Sequence, residues 1–113
     1  MNYYSQGSSA TRELAHAQNG YTPGKFGKIY ITYLQEYRRG FFNQLITSND
    51  LNMHVKDVEE RAEDKYNYLL STTIIKEKID DELKSNNRSA WRKKMDAAKK
   101  AAEEETIKTV IFN

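Results

Sequence analysis

Residues 28–47 read KIYITYLQEYRRGFFNQLIT, and this stretch decides the fold class. Its apolar residues recur every three or four positions, which is the period of one face of an α-helix. The residues on that face are Tyr30, Leu34, Tyr37, Phe41 and Leu45. The pattern predicts a helix from about Lys28 to Thr47, with its tyrosines in the core rather than exposed as stacking surfaces for bases. The β-branched start, IYITY, is the only feature that favours a strand instead.

Three further segments complete the predicted architecture. A second helix runs from about Leu51 or Met53 to Thr72, with apolar spacing close to 3.5 residues. Residues 74–83 form a short connecting piece. Asn87 then caps a last helix from Arg88 to about Val110, with Trp91 and Met95 facing the core. The predicted fold class is all-α, with three long helices plus a short connecting helix in an antiparallel helical bundle. The apolar end, residues 110–112, is expected to dock on the core.

The N-terminal region has a different composition. Residues 1–24 are rich in Gly, Ser and Asn and keep neither a helical nor a strand period. Such a sequence cannot bury enough apolar surface to offset the entropy of ordering it. We therefore predict a flexible N-terminal arm over 1–24. A brief helical turn over 11–17 is the alternative within this arm. The helical domain is predicted over 25–113, a length that suits a single domain.

Composition excludes several classes of protein. The 113 residues contain no cysteine, which rules out disulfides, thiol nucleophiles and Cys-ligated metals. No apolar run approaches the roughly 18–20 residues of a membrane span, and the start lacks the layout of a signal peptide. The expected location is cytoplasmic. His16 and His54 lie in different elements without a ligand set, and no catalytic motif occurs. We expect no enzyme, no metal and no cofactor.

Charge is segregated along the chain, although the net charge is only +2. The last helix begins with a basic segment that is a candidate nucleic-acid-binding site, because rows of cations on a helix neutralise backbone phosphates. Its members are Arg88, Arg92, Lys93, Lys94, Lys99 and Lys100. Arg38 and Arg39 could extend this surface. The same charges also suit a solvated helix, or one that pairs with the acidic second helix.

The second helix carries an acidic segment with an alternative use. Its acids are Asp57, Glu59, Glu60, Glu63 and Asp64. Such a run is usually a solvated helix face. If it is functional, it would mimic phosphates and occupy a basic channel of a partner protein, where complementary charge sets the rate and specificity of association.

The chain resembles the TnpV family of small transposon-encoded proteins from residue 27 to residue 111. The resemblance is carried by YLQEYRR at 33–39, NQLITS at 43–48 and VEERAE at 58–63. The resemblance continues at Leu51-Asn, Leu83-Lys, Trp91 with Met95, Ala102-Glu-Glu and Val110-Ile. Arg92 and Asp96 stand where the family usually has valine and asparagine. The resemblance implies an accessory protein of a mobile element, and it supplies no catalytic or binding residues.

Three functions follow as hypotheses. The first is a mobile-element accessory protein that binds DNA, or the element's DNA-bound recombinase, through the last helix. The second is a protein-binding inhibitor of a host defence nuclease, of the anti-CRISPR type, that uses the acidic segment. The third is a structural homodimerisation module, because long amphipathic helices must bury their apolar stripes.

Overall fold

The computed structural model describes residues 21–112, where all regular structure is helical and no strand occurs. The helices are α1 (Lys25–Tyr37), α2 (Arg39–Thr47), α3 (Leu51–Lys76), α4 (Asp81–Asn86) and α5 (Arg88–Thr106). A π-helical turn, Ile107–Ile111, continues α5. The predicted all-α class, with long helices and a short connecting one, is confirmed. None of these helices combines the length and the apolarity that crossing a bilayer requires.

The first predicted helix is in fact two helices. It begins at Lys25 rather than Lys28, and it breaks at Arg38, whose backbone has φ −136° and ψ 49°. Two backbone hydrogen bonds involve the break residue: the Arg38 amide donates to the Leu34 carbonyl, and the Arg38 carbonyl accepts from the Phe42 amide, both at 2.9 Å. Arg38 is therefore both the C-cap of α1 and the N-cap of α2.

The helices form an antiparallel bundle, as predicted. Near the start of α1 the Phe26 ring lies 5.8 Å from the Tyr66 ring of α3, and further along α1 Tyr30 contacts His54, which comes earlier in α3. Helices α1 and α3 therefore run in opposite directions. Helix α5 is antiparallel to α3 and therefore parallel to α1. The Lys25 ammonium contacts Glu103 at 2.8 Å near the start of α1, and further along the bundle Phe112 lies 5.1 Å from Tyr33.

The core lies between α1, the first half of α3 and the π-helical turn. Its most deeply buried side chains are Ile29, Ile31, Leu34, Val55, Thr106 and Ile111. The buried Thr106 hydroxyl donates to the Ala102 carbonyl at 2.7 Å, which satisfies its polar group. Val110 and Phe112 pack against this cluster, so the apolar end of the chain docks on the core as predicted.

The second half of the molecule differs from prediction in its helix ends. Helix α3 continues past Thr72 to Lys76, and within it the Thr72 and Thr73 hydroxyls donate to the carbonyls four residues earlier. The short helix is Asp81–Asn86, so it overlaps only the last three residues of the connecting piece predicted over 74–83. The predicted cap is confirmed, because the Asn87 side chain accepts a hydrogen bond from the Ala90 amide.

Two side chains predicted to face the core are only partly buried. Trp91 and Met95 both lie on the first half of α5, and helix α5 packs against α3 and the short helix α4. The Lys84 ammonium lies 4.6 Å from the centre of the Trp91 ring. The side chains that α5 does bury lie further along it, at Ala98, Ala102 and Thr106.

Candidate functional site

The cations of α5 form an exposed surface, which we call the basic face. It comprises Arg88, Arg92, Lys93, Lys94, Lys99 and Lys100, all of which are exposed. None of the six makes an ion pair within residues 21–112, where the pairs are Lys25–Glu103 and Arg61–Asp57. Their charges are therefore directed to solvent and remain accessible to a polyanion.

Part of the basic face borders a groove between α5 and the end of α3. The groove has a volume of about 440 Å³ and a floor of small side chains, Ala97, Ala98 and Ala101. Lys93 and Lys94 line it from α5, and Thr73 and Glu77 line it from α3. Lys93 and Lys94 thus lie beside the last turns of α3, more than two turns beyond the acidic segment at 57–64.

Arg38 and Arg39 do not extend the basic face. They lie at the break between α1 and α2, where the Arg38 guanidinium is 5.5 Å from the centre of the Phe41 ring. Phe41 in turn contacts His54 near the start of α3. The distance along α3 from His54 to Glu77 is about 35 Å, at roughly 1.5 Å per residue. The two sets of cations lie towards opposite ends of the bundle.

The acidic segment is not a single exposed face. Asp57, Glu60, Glu63 and Asp64 are exposed, and Asp57 pairs with Arg61 at 3.2 Å. Glu59, which was predicted with them as a partner-binding residue, is buried, with 8% of its surface exposed, and is not part of the exposed acidic surface. It lies on the side of α3 that packs against the core, beside Val55, Val58 and Ala62.

The Glu59 carboxylate instead holds the start of α1. Its Oε1 accepts a hydrogen bond from the Tyr21 hydroxyl at 2.7 Å, and its Oε2 accepts one from the Gly27 amide at 3.1 Å. The first amides of a helix have no partner within the helix, and its positive end favours an anion. Burial of the Tyr21 hydroxyl, together with the adjacent Glu59 carboxylate, raises the pKa of Tyr21.

Two glycines make room for this carboxylate. A Cβ atom on Gly24 or Gly27 would lie 2.7 or 2.8 Å from the Glu59 Oε2 atom, closer than real Cβ contacts allow. A cleft of about 230 Å³ adjoins the carboxylate, lined by Lys25, Glu63 and Tyr66 among others. Two features of the sequence indicate this arrangement. Glu59 falls on the apolar stripe of its helix, and two glycines, Gly24 and Gly27, lie at the start of α1.

A second cluster lies near the start of α3. The Tyr30 hydroxyl and His54 Nε2 are 2.7 Å apart, and burial lowers the pKa of His54. The Tyr33 ring contacts those of Tyr30, Tyr37 and Phe112. Tyr37 was predicted to be a core residue, yet 58% of its surface is exposed, because α1 ends there.

No group of three acidic or histidine side chains suited to a metal ion occurs within residues 21–112.

Comparison with known families identifies the chain. The family model described as transposon-encoded protein TnpV matches residues 2–111 of the 113. The chain belongs to the TnpV family. The match to TnpV extends beyond the resemblance at 27–111 and includes most of the N-terminal segment. The predicted arm over 1–24 lies largely outside the described residues, although its Tyr21 packs on α3. Comparisons with curated proteins and with solved structures gave no match.

Proposed function

We propose that this TnpV protein is a non-catalytic accessory protein of a transposon that binds duplex DNA, or the recombinase of the element on DNA, through the basic face. The observation that carries the proposal is the exposure of six cations along one helix, none of them in an ion pair within residues 21–112. Membership of a transposon-encoded family supports the association with a transposon.

The arrangement of the cations suits the DNA backbone. Arg88, Arg92 and Lys99 follow spacings of four and seven residues, and Lys93 and Lys100 are seven apart, so each set forms a row along α5. A row of cations on a rigid helix contacts phosphates without ordering flexible chain at the moment of binding. Each neutralised phosphate releases condensed counterions, which makes the affinity depend steeply on salt.

Binding of labelled duplexes at increasing salt tests the proposal. We would use a duplex from the transposon end and an unrelated duplex, with fluorescence anisotropy as the readout. The double variant Lys93→Gln/Lys100→Gln should weaken binding to both. It should also reduce the slope of log K against log salt by about 0.9 for each phosphate that is no longer neutralised. Because these side chains are exposed, the variant should keep its helical circular dichroism spectrum.

A matched control carries the same charge change elsewhere. Lys56 and Lys108 are exposed and lie on α3 and the π-helical turn, away from the basic face. Lys56→Gln/Lys108→Gln should bind as the parent protein does. The proposal fails if the parent protein binds neither duplex at low salt, or if the control variant loses as much affinity as the variant of the basic face.

A further inference from the structure

We propose that Tyr37, Arg38 and Arg39 form a second nucleic-acid site, which binds single-stranded DNA by stacking an unpaired base on the Tyr37 ring. The proposal goes beyond duplex binding by the basic face, because it concerns a different substrate and the opposite end of the bundle. We call these three residues the stacking site.

The stacking site ends a preformed series of aromatic rings. Tyr30 and Tyr33 have ring centres 6.3 Å apart and planes within 22° of each other, and Tyr37 follows with its ring centre 5.7 Å from Tyr33. The inner end is fixed by the 2.7 Å contact between the Tyr30 hydroxyl and His54. The rings are therefore ordered before any ligand arrives, which lowers the entropy cost of binding.

The outer ring of this series is open to solvent. Tyr37 is 58% exposed, whereas Tyr30 is buried and Tyr33 is half-buried. The helix ends at Tyr37 and the chain turns away at Arg38, so no further turn of α1 covers the ring. Aromatic rings of this kind are platforms for nucleic-acid bases, since every base has a π-face.

Two cations adjoin the exposed ring in sequence. Arg38 and Arg39 are exposed, and neither makes an ion pair within residues 21–112. The Arg38 guanidinium is oriented by the Phe41 ring at 5.5 Å. Glu36 is the one acid in the last turn of α1, so the local balance of charge is positive. Single-strand sites combine an aromatic ring for the base with cations for the phosphates, and Tyr37, Arg38 and Arg39 supply both at consecutive positions of the chain.

The chemistry favours a single strand over a duplex. In duplex DNA both faces of each base are covered by its neighbours, and exposing one requires unstacking at a cost of a few kcal/mol. A single-stranded DNA segment presents its bases without that cost. The stacking site should therefore discriminate between the two forms, whereas the basic face contacts phosphates that both forms carry.

Substitution of the exposed ring tests the proposal. The probe is a labelled oligothymidylate of about 12 nucleotides, within the range of single-strand sites. Tyr37→Ala should weaken its binding about tenfold or more, since base stacking on an aromatic ring contributes about 1–3 kcal/mol and 1.4 kcal/mol is tenfold. Tyr37→Phe keeps the ring and should retain the affinity. Binding of a duplex should not change in either variant.

The control is a second exposed tyrosine. Tyr68 on α3 is 67% exposed and makes no ring contact within residues 21–112, and Tyr68→Ala should leave oligothymidylate binding unchanged. Equal losses from Tyr37→Ala and Tyr68→Ala would overturn the proposal, as would absence of oligothymidylate binding at low salt. The Lys93→Gln/Lys100→Gln variant separates the two sites. When Tyr37→Ala is added to this double variant, the affinity for oligothymidylate should fall by the same factor as in the parent protein. That result is expected even if the basic face proves not to bind duplex DNA.

Discussion

The Glu59 carboxylate accepts a hydrogen bond from the backbone amide of Gly27, an Oε2 to N distance of 3.1 Å between residues 32 positions apart. A side chain from the middle of α3 therefore provides the hydrogen-bond acceptor for a backbone amide in the first turn of α1. Helix α1 has Gly24 at its N-cap, and glycine has no side chain that could accept a hydrogen bond from the first turn. The start of this helix consequently depends on a tertiary contact rather than on a local cap.

Neutralising Glu59 should destabilise the fold. In Glu59→Gln the side chain keeps its size, but it presents only one acceptor oxygen and loses the charge that favours a helix N-terminus. We expect the free energy of unfolding to fall by about 2 kcal/mol, because buried donors are left poorly satisfied. Urea unfolding followed by circular dichroism measures this change. Glu60→Gln, at the adjacent exposed position, should change stability by no more than about 0.5 kcal/mol. Equal effects of the two substitutions would show that Glu59 does not hold α1.

Two glycines in helices should respond to alanine in opposite directions. Alanine normally stabilises a helix by up to about 1 kcal/mol relative to glycine. Gly40→Ala should show that gain, since nothing lies within 4 Å of its added Cβ. Gly27→Ala should be destabilising, because its Cβ would meet Glu59 Oε2 at 2.8 Å and the Pro23 side chain at 3.0 Å. Thermal melts of both variants test the contrast. A stabilised Gly27→Ala protein would mean that the carboxylate is free to move away.

The Tyr21 hydroxyl should contribute measurably to stability. Tyr21→Phe removes the hydrogen bond to Glu59 and leaves the ring in place, so we expect a loss of about 1–2 kcal/mol in the free energy of unfolding. Tyr68→Phe removes an exposed hydroxyl and should have no effect. Absorbance at alkaline pH gives a second readout. Because burial and the neighbouring carboxylate raise the pKa of Tyr21, its ionisation should be missing from the ordinary tyrosine titration in the folded protein. Ionisation of Tyr21 with the exposed tyrosines would contradict the buried contact.

His54 should make the protein less stable in mild acid. Burial lowers the pKa of His54 in the fold, with a smaller opposing effect of Asp57. The unfolded chain therefore takes up this proton first as the pH falls through about 6.5, and the equilibrium shifts towards unfolding. At higher pH the ring is neutral in both states and the effect vanishes.

The measurement is the urea midpoint of the parent protein and of His54→Gln, at about pH 7.5 and pH 5.5. His16 is present in both proteins, so the difference between their pH dependences isolates His54. The parent should lose more stability on acidification than the variant. Equal losses would mean that His54 has the same proton affinity in the folded and unfolded states.

The sequence alone was sufficient for the all-α class and for α3 and α5, whereas it predicted one helix where the structure has α1 and α2. Apolar residues three or four positions apart predicted helical structure in these regions, and Asn87 marked the start of α5 through its side-chain oxygen. These features are local, because a helical period and a cap depend on residues within a turn or two of one another. The exposure of the basic face followed from the same periodicity.

Only the tertiary structure decided which of these residues are available for a partner. It buried Glu59 under the start of α1, exposed Tyr37 at a break in the helix, and placed Arg38 and Arg39 far from the cations of α5. None of this is local, because a carboxylate becomes buried only when a distant amide and hydroxyl supply its hydrogen bonds. The spacing of apolar residues over 28–47 predicted one continuous helix across Arg38. That spacing carries no information about the backbone angles of Arg38, where the helix breaks. The chain determined its helices by itself, and packing determined which side chains remain free to bind.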